Sequence, residues 1–331
     1  MTRKSTFRSD LILMLAAIIW GFAFVAQRMG MEHIGPFMFN AIRFALGALV
    51  MVAVMKGMEA WRRGGVEAGN RRSSESVVLD ERPTADRRPP TVYGILLGLI
   101  LFAGATFQQA GLVYTTAGNA GFITGLYVIL VPVFGILSGQ KAGVNLWGGA
   151  IIATVGLYFL SVTEGLTISK GDLLVLTGAV FWAIHVLYTG WLSPKTSALK
   201  LAAVQYAVCG ALSLISSLIV ENTTLTGIYE AAIPLLYGGL LSVGVAFTLQ
   251  IVGQKNAPPA HAAIILSLEA VFAIIGGVLI LSETMTSRKW LGCSLMLAGM
   301  LLAQIGRRSA VNSQQSAVSS QQSTINSNTT L

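Results

Sequence analysis

The sequence is poor in the residues from which most enzyme and metal sites are built. It has 14 Asp and Glu residues, three His and two Cys. Cys209 and Cys293 both lie within apolar runs, so we interpret them as small core residues and expect no disulfide, metal or other cofactor. The three histidines are scattered and the acids are few, which argues against an enzyme embedded in a membrane. No Gly-x-x-x-x-Gly-Lys-Ser/Thr motif occurs, which argues against an ATPase within the chain.

Charge is also scarce, at 11% of residues, whereas 54% are apolar and the mean hydropathy is +0.70. A soluble domain of this size is not expected to have such a composition. Ten apolar runs have about the length that crosses ~30 Å of hydrocarbon as an α-helix. We therefore predict an all-α integral membrane protein with ten transmembrane helices. The spans lie near Leu11–Gly30, Phe37–Met55, Val92–Tyr114, Ala117–Ser138, Leu146–Val162, Leu173–Leu192, Ala198–Val220, Ala231–Gly253, Ala260–Leu281 and Trp290–Ile305.

The net charge of +8 is distributed unevenly between the predicted loops. With the N-terminus placed in the cytoplasm, most of the 22 Lys and Arg residues fall on the cytoplasmic side. The positive-inside rule then places both termini in the cytoplasm, in a multi-pass protein of the plasma membrane, which is the inner membrane in bacteria. This distribution indicates a lipid bilayer, and no nucleic acid, as the partner of the basic residues.

Three segments lie outside the predicted membrane helices. Residues 1–9 form a cytoplasmic N-terminus. Residues 57–91 are rich in Arg, Ser, Glu and Pro and are predicted to be a basic, disordered cytoplasmic insertion. This insertion is either a solvated linker that helps to fix the topology or a segment for regulation or partner binding. Residues 309–331 carry no charge and are predicted to be a disordered cytoplasmic tail.

The two halves of the chain share a pattern. Asp10 and Trp20 recur as Asp172 and Trp182, and the same displacement carries Arg43-Phe44 onto Gln205-Tyr206. We therefore predict two five-helix repeats, at residues 10–163 and 172–306. Because five is odd, the second repeat enters the membrane from the opposite side, which gives the inverted repeats from which many secondary transporters are built.

These residues also carry a resemblance to a known family. The run Trp20–Val25, the pair Arg43-Phe44, the span 117–134, the run 267–272 and Ser282-Glu283 resemble the EamA-type transporters of the drug/metabolite transporter (DMT) superfamily. The resemblance covers roughly residues 10–305.

Two positions depart from that family pattern. Gly139-Gln140 stands where the family often ends its fourth helix with an acid, as Glu283 does in the second repeat. Ala270 replaces the proline that commonly follows the acid of the ninth helix. These departures bear on local helix bends and leave the expected fold unchanged.

The resemblance implies a permease whose central cavity is lined by the first, third, fourth, sixth, eighth and ninth helices. The implied function is secondary transport, with export of a small metabolite (an amino acid, an amine or a related amphipathic compound) by alternating access between the repeats. The alternatives are a membrane-embedded receptor or scaffold and a non-transport membrane enzyme. The sequence leaves open whether the protein forms a homodimer. The candidate residues for the cavity and its gating are Trp20, Gln108, Gln109, Asn119, Thr124, Tyr127, His185, Tyr188, Gln250 and Glu269.

Two charged residues, Arg43 and Glu269, lie well inside predicted spans and away from their ends. An ionised group at such a position is disfavoured by at least about 2.5 kcal/mol unless it faces a partner or a wet cavity. Arg43 is assigned a structural role, with backbone carbonyls or a carboxylate as its partner. Glu269 is either a structural acid that bonds a neighbouring helix or a cavity carboxylate whose protonation accompanies transport. Gln108 and Gln109 are adjacent, about 100° apart around a helix, so at most one of them is expected to face the cavity.

Overall fold

The computed structural model describes residues 3–67, 90–137, 143–161, 169–257, 259–299 and 301–302. Within these ranges every regular element is a helix, and eight helices are long and apolar enough to cross a membrane. The fifth and tenth predicted spans are also helical. Their apolar stretches are shorter than those of the other eight helices; that of the fifth is Trp147–Gly156. The structure thus supports eight of the ten predicted spans by length and composition.

The helices keep the order of the predicted spans, and we number them first to tenth accordingly. The fourth, eighth and ninth each consist of consecutive segments. In chain order the bounds are Arg3–Gly30, Pro36–Glu67, Pro90–Leu112, Ala117–Gly125 with Tyr127–Leu137, Val144–Ser161, Lys170–Leu192, Ala198–Val220, Ala232–Leu236 with the π-helix Tyr237–Phe247 and Thr248–Gln254, Pro259–Leu266 with Glu269–Leu281, and residues 287–299. A short helix, Leu225–Glu230, precedes the eighth.

The chain runs back and forth between two ends of a helix bundle. At one end the Asp10 carboxylate lies 2.7 Å from Nε2 of His261, and we call this the Asp10 end. At the opposite end the Thr115 hydroxyl donates a hydrogen bond to Asp172, and Glu283 follows the ninth helix. We call this second end the Glu283 end.

The second helix is longer than its apolar run. It continues through Gly57 to Glu67, which is the beginning of the predicted insertion 57–91. Three of the eleven residues of this stretch are Gly, but six are Met, Glu, Ala or Arg, which have good helix propensity and favour the extension past the apolar span. The rest of the insertion, residues 68–89, and the predicted tail 309–331 lie outside the described residues.

Large apolar side chains cover the outside of the bundle. Leu218, Ile219 and Leu279, for example, are 73%, 76% and 74% exposed. A soluble protein rarely exposes apolar surface so continuously, whereas lipid tails cover such a surface without penalty. The exposed surface therefore agrees with the hydropathy of the sequence.

Glycines let neighbouring helices approach closely, as is typical of membrane bundles. A Cβ added at Gly21 of the first helix would overlap Phe272 of the ninth, and one added at Gly111 of the third would overlap Val175 of the sixth. Gly156 packs in the same way against Met296, which joins the fifth helix to the tenth.

We expect Gly21→Ala to lower the thermal midpoint of the purified protein by several degrees. The new methyl group would overlap Phe272 and come within 2.8 Å of the Glu269 carbonyl oxygen, and overpacking of this kind costs about 1–3 kcal/mol. Gly57→Ala is the matched control, because a Cβ there meets nothing within 4 Å. Equal midpoints for both variants would contradict the close crossing of the first and ninth helices.

Candidate functional site

Two helices are interrupted near their middle. The fourth breaks at Leu126, and the ninth breaks at Ser267 and Leu268, so that Glu269 opens the second half of the ninth helix. A carboxylate in the first turn of a helix interacts favourably with its free N–H groups. In membrane proteins such broken helices occur where the backbone lines a cavity or is buried in protein.

A small cavity of about 40 Å³ lies between these breaks. Small-molecule sites usually measure roughly 300–1,000 Å³, so this cavity would have to widen to hold a metabolite. The first, second, third, fourth, sixth, eighth and ninth helices line it, so the second helix joins the six expected. The lining residues are Trp20, Phe24, Gln27, Arg43, Gln108, Thr124, Tyr127, Trp182, Val186, Ser242, Phe247, Gln250, Leu266 and Glu269.

The cavity contains both intramembrane charges. Glu269 is 4% exposed and Arg43 is 2% exposed. Nε of Arg43 donates a hydrogen bond to the side-chain oxygen of Asn40 over 2.9 Å, and its guanidinium carbon lies 4.9 Å from the centre of the Phe44 ring. The structure thus supports neither predicted partner of Arg43: the described contacts are an amide oxygen and aromatic rings. The hydroxyl of Tyr127 lies beside the Glu269 carboxylate.

Several polar atoms in the cavity wall are buried without a hydrogen-bond partner among the described residues. They are the hydroxyl of Thr124, Nε1 of Trp182 and Oε1 of Gln250. A buried polar group left without a partner costs about 1–3 kcal/mol. A polar molecule in the cavity would satisfy these groups.

Aromatic rings form the apolar part of the wall, with Phe247 at their centre. Its ring centroid lies 4.6 Å from that of Trp20 and 5.8 Å from that of Trp182. Phe247 ends the π-helix of the eighth helix, and π-helical turns are frequent at functional sites. Trp20 is also fixed by a hydrogen bond, because its Nε1 donates to the carbonyl of Ser242 in the same π-helix over 3.2 Å.

Six of the ten predicted cavity residues line this cavity, namely Trp20, Gln108, Thr124, Tyr127, Gln250 and Glu269. Of the adjacent pair, Gln108 reaches the cavity and donates to Oε1 of Gln27. Gln109 points elsewhere and donates to the backbone carbonyl of Gln27. This agrees with the expectation that at most one of the two faces the cavity.

Three further predicted residues lie outside the lining. Asn119 is in the first turn of the fourth helix, far along the bundle from the break. His185 is fully buried and its Nε2 lies 2.9 Å from Oε1 of Gln205, so it links the sixth and seventh helices. Tyr188 is 39% exposed, near the Asp10 end.

Sequence reasoning selected polar and aromatic residues with repeat partners, and it missed the apolar lining. Phe24 lies one helical turn from Trp20, which is a signal that could have found it. Phe247, Val186 and Leu266 carry no such signal, because an apolar residue in a cavity wall has the same pattern as one in the core.

A second, wider cleft of about 550 Å³ lies near the Asp10 end. It is lined by Phe134, Gly135, Leu187, Tyr188, Gly190, Trp191 and Pro259, which belong to the fourth, sixth and ninth helices. The same three helices carry Thr124, Tyr127, Trp182 and Glu269 to the central cavity. The cleft thus lies along the helices that lead from the central cavity to one end of the bundle.

The described residues contain no group of three or more His, Cys, Asp or Glu that could hold a metal ion. Cys209 and Cys293 are buried free thiols. The residues that line the cavity offer charge, hydrogen-bonding groups and aromatic rings.

The sequence model of the EamA-like transporter family matches residues 7–162 and, a second time, residues 169–304. The chain belongs to the EamA-like transporter family. This confirms the resemblance found in the sequence. The protein is a multi-pass membrane transporter, and such a protein has a small-molecule substrate and a lipid bilayer as its surroundings.

Relatives carry the same description. An uncharacterized transporter of Archaeoglobus fulgidus is 32% identical over 302 residues, which is 90% of this chain and 86% of the relative. The uncharacterized transporter YoaV of Bacillus subtilis is 24% identical, over 86% of this chain and 92% of the relative. The uncharacterized inner membrane transporter YedA of Escherichia coli is 22% identical, over 88% of each chain.

A solved crystal structure has the same fold. It superimposes with a TM-score of 0.63 and covers 91% of this chain and 99% of its own chain, at 20% sequence identity. The likeness extends over nearly the whole solved chain and is a likeness of fold alone.

Proposed function

We propose that this transporter is a secondary exporter of a small metabolite that carries an ammonium group, an amino acid or an amine. The observation that carries the proposal is that a buried acid and a buried base, Glu269 and Arg43, line one cavity with aromatic walls. A zwitterionic amino acid presents the complementary charges. Its carboxylate would bind the planar guanidinium of Arg43, and its ammonium group would bind Glu269.

The remaining wall suits the rest of such a molecule. Trp20, Trp182 and Phe247 offer ring faces and edges to an apolar side chain, and the two tryptophans also attract a cation through their ring faces. The hydroxyls of Thr124 and Tyr127 and the Gln250 amide can complete the hydrogen bonds of the polar groups. All ten candidate residues stay proposals, and six of them lie where this substrate would bind.

We propose that transport proceeds by alternating access between inverted repeats at 10–163 and 172–306. The double match of the family model supports a duplication. Equivalent contacts support it too: Asp10 contacts the ninth helix at one end, and its counterpart Asp172 contacts the turn before the fourth helix at the other. The displacement that maps Trp147 onto Trp290 also maps the break at Leu126 onto Glu269.

We place the Asp10 end in the cytoplasm, with both termini, because the basic loops lie there. The wide cleft lies near that end. Substrate would then enter the cavity from the cytoplasm, which is the direction that export requires. Protonation of Glu269 would couple this movement to a proton gradient.

A thermal-shift screen followed by counterflow tests the proposal. We expect amino acids and amines to raise the midpoint of the purified protein, and the same compounds to accumulate by counterflow in proteoliposomes. Compounds that bind without counterflow would indicate a receptor or scaffold. Stabilisation confined to dicarboxylates or sugars would contradict the proposed substrate class.

A further inference from the structure

Two carboxylates at the Glu283 end cap the first turns of helices from the other half of the chain. Glu221, after the seventh helix, accepts hydrogen bonds from the backbone N–H groups of Phe37 and Met38 at the start of the second helix. The N–O distance is 2.8 Å in both bonds. The hydroxyl of Ser217 donates a third bond to Glu221 over 2.8 Å. One carboxylate therefore satisfies two free N–H groups of a helix that lies far away in sequence.

Glu283 makes the equivalent contact after the ninth helix. Its two carboxylate oxygens accept from the N–H groups of Ala117 and Gly118 at the start of the fourth helix, over 2.7 and 3.1 Å. Ser282, in the left-handed conformation with φ of 53°, ends the ninth helix and turns Glu283 back across it. The Glu283 N–H donates to the carbonyl of Gly277, which holds this turn in place.

The contacts follow the repeat. The seventh helix is the counterpart of the second, and the ninth is the counterpart of the fourth, so each acid joins a helix of the second half to its own counterpart. Both acids are half-buried, which strengthens a charge-assisted hydrogen bond relative to one in water.

Among the residues that the structure describes, no carboxylate caps a helix in the equivalent way at the Asp10 end. The sequence offset that relates Asp10 to Asp172 makes Glu59 the equivalent of Glu221. Glu59 is exposed within the extended second helix. The sequence offset that relates Trp147 to Trp290 makes Gln140 the equivalent of Glu283. Ser197, which precedes the seventh helix, makes no side-chain cap there. The two carboxylate caps thus lie at the end of the bundle opposite to the wide cleft.

We propose that Glu221 and Glu283 are gating residues, a pair of latches that hold the Glu283 end closed. This inference rests on the proposed alternating access. Opening of the Glu283 end requires each carboxylate to leave its helix N-terminus, and closure re-forms four backbone hydrogen bonds. The latches thus bias the transporter toward the state that is open at the Asp10 end.

Two glycines make room for the latches and supply a second way to test them. A Cβ added at Gly35 would overlap the Glu221 carboxylate, and one added at Gly277 would come within 2.6 Å of a Glu283 carboxylate oxygen. Gly35→Ala and Gly277→Ala would push the acids away from the N–H groups while both charges remain.

Distances between spin labels in lipid nanodiscs test the latches without substrate and without transport. Label pairs at Glu32 and Asn222 and at Tyr114 and Thr284 report on the Glu283 end, and a pair at Leu137 and Asn256 reports on the Asp10 end. In the Glu221→Gln, Glu283→Gln double variant we expect the wide population at the Glu283 end to grow at least about tenfold, since charge-assisted bonds are lost. The pair at the Asp10 end should shorten by several ångström.

Glu230→Gln is the matched control, because it removes an exposed acid at the same end whose partner is His33 at 3.3 Å, and surface pairs contribute little. A double variant that keeps normal helix content and wild-type distances would overturn the proposal. If that variant fails to fold, the same distances are measured in Gly35→Ala and Gly277→Ala, and wild-type distances in these folded variants would overturn the proposal. Counterflow by the same proteins in proteoliposomes separates the two proposals. If the double variant has wide distances but the wild-type protein shows no counterflow, the proposed transport alone is contradicted. If the double variant keeps wild-type distances and the wild-type protein shows full counterflow, the latches alone are contradicted.

Discussion

Glu269→Gln is expected to abolish flux driven by a pH gradient, down to the level of empty liposomes, while exchange of substrate for substrate continues at saturating concentration. Glutamine keeps the shape of the side chain and can hydrogen-bond, but it cannot release or take up a proton. Glu269 lines the cavity and is 4% exposed, so proton and substrate ammonium group would compete for one desolvated carboxylate. The two assays are counterflow and gradient-driven transport in the same proteoliposome preparation.

Glu32→Gln serves as the control for that experiment. Glu32 is an exposed acid that pairs with Arg28 at 4.0 Å at the Glu283 end, and its loss should leave both assays unchanged. Full gradient-driven flux in Glu269→Gln would exclude the coupling role. Failure of Glu269→Gln to insert or fold, with Glu32→Gln normal, would assign Glu269 the structural role that the sequence also allows.

Arg43→Gln is expected to weaken the binding of an amino acid strongly and to spare the amine that lacks the carboxylate. Loss of one partner of a buried, hydrogen-bonded charge pair costs about 2–5 kcal/mol, which is roughly 30-fold to several thousand-fold in affinity. Leucine and isoamylamine are suitable probes, since they differ by the carboxylate alone. Binding is measured as the midpoint shift of the purified variant over a concentration series of each compound.

Arg43→Lys and Arg28→Gln complete the comparison. Lysine keeps the charge but loses the planar fork and the contact with the Phe44 ring, so it should lie between wild type and Arg43→Gln for the amino acid. Arg28→Gln removes a half-buried arginine that lies outside the cavity lining, and it should change neither affinity. Equal losses for leucine and isoamylamine would show that Arg43 acts on the fold of the cavity and does not recognise a carboxylate.

Much of the cavity could be predicted because intramembrane polar residues are rare and rarely face lipid. Glu269, Gln108 and Gln250 were found in this way, since each must meet a partner or a cavity. His185 also meets a partner, but the partner is Gln205 on the neighbouring helix and not the cavity. The spacing of residues in the sequence cannot distinguish a polar residue that bonds another helix from one that faces a cavity. Arg43 shows the reverse case, because a residue assigned to structure lies in the cavity wall.

The sequence by itself determined that the protein spans a membrane with helices, that its halves are related and that an acid lies in a membrane helix. These properties follow from local composition and spacing, because each span must satisfy its own backbone hydrogen bonds and contact lipid with apolar side chains. Only the tertiary structure decided that Phe247 joins Trp20 and Trp182, that Arg43 and Glu269 share one cavity, and that Glu221 and Glu283 cap helices of the other half. These contacts join residues far apart in the chain, and they depend on how glycine-lined helices cross, which local pattern does not encode.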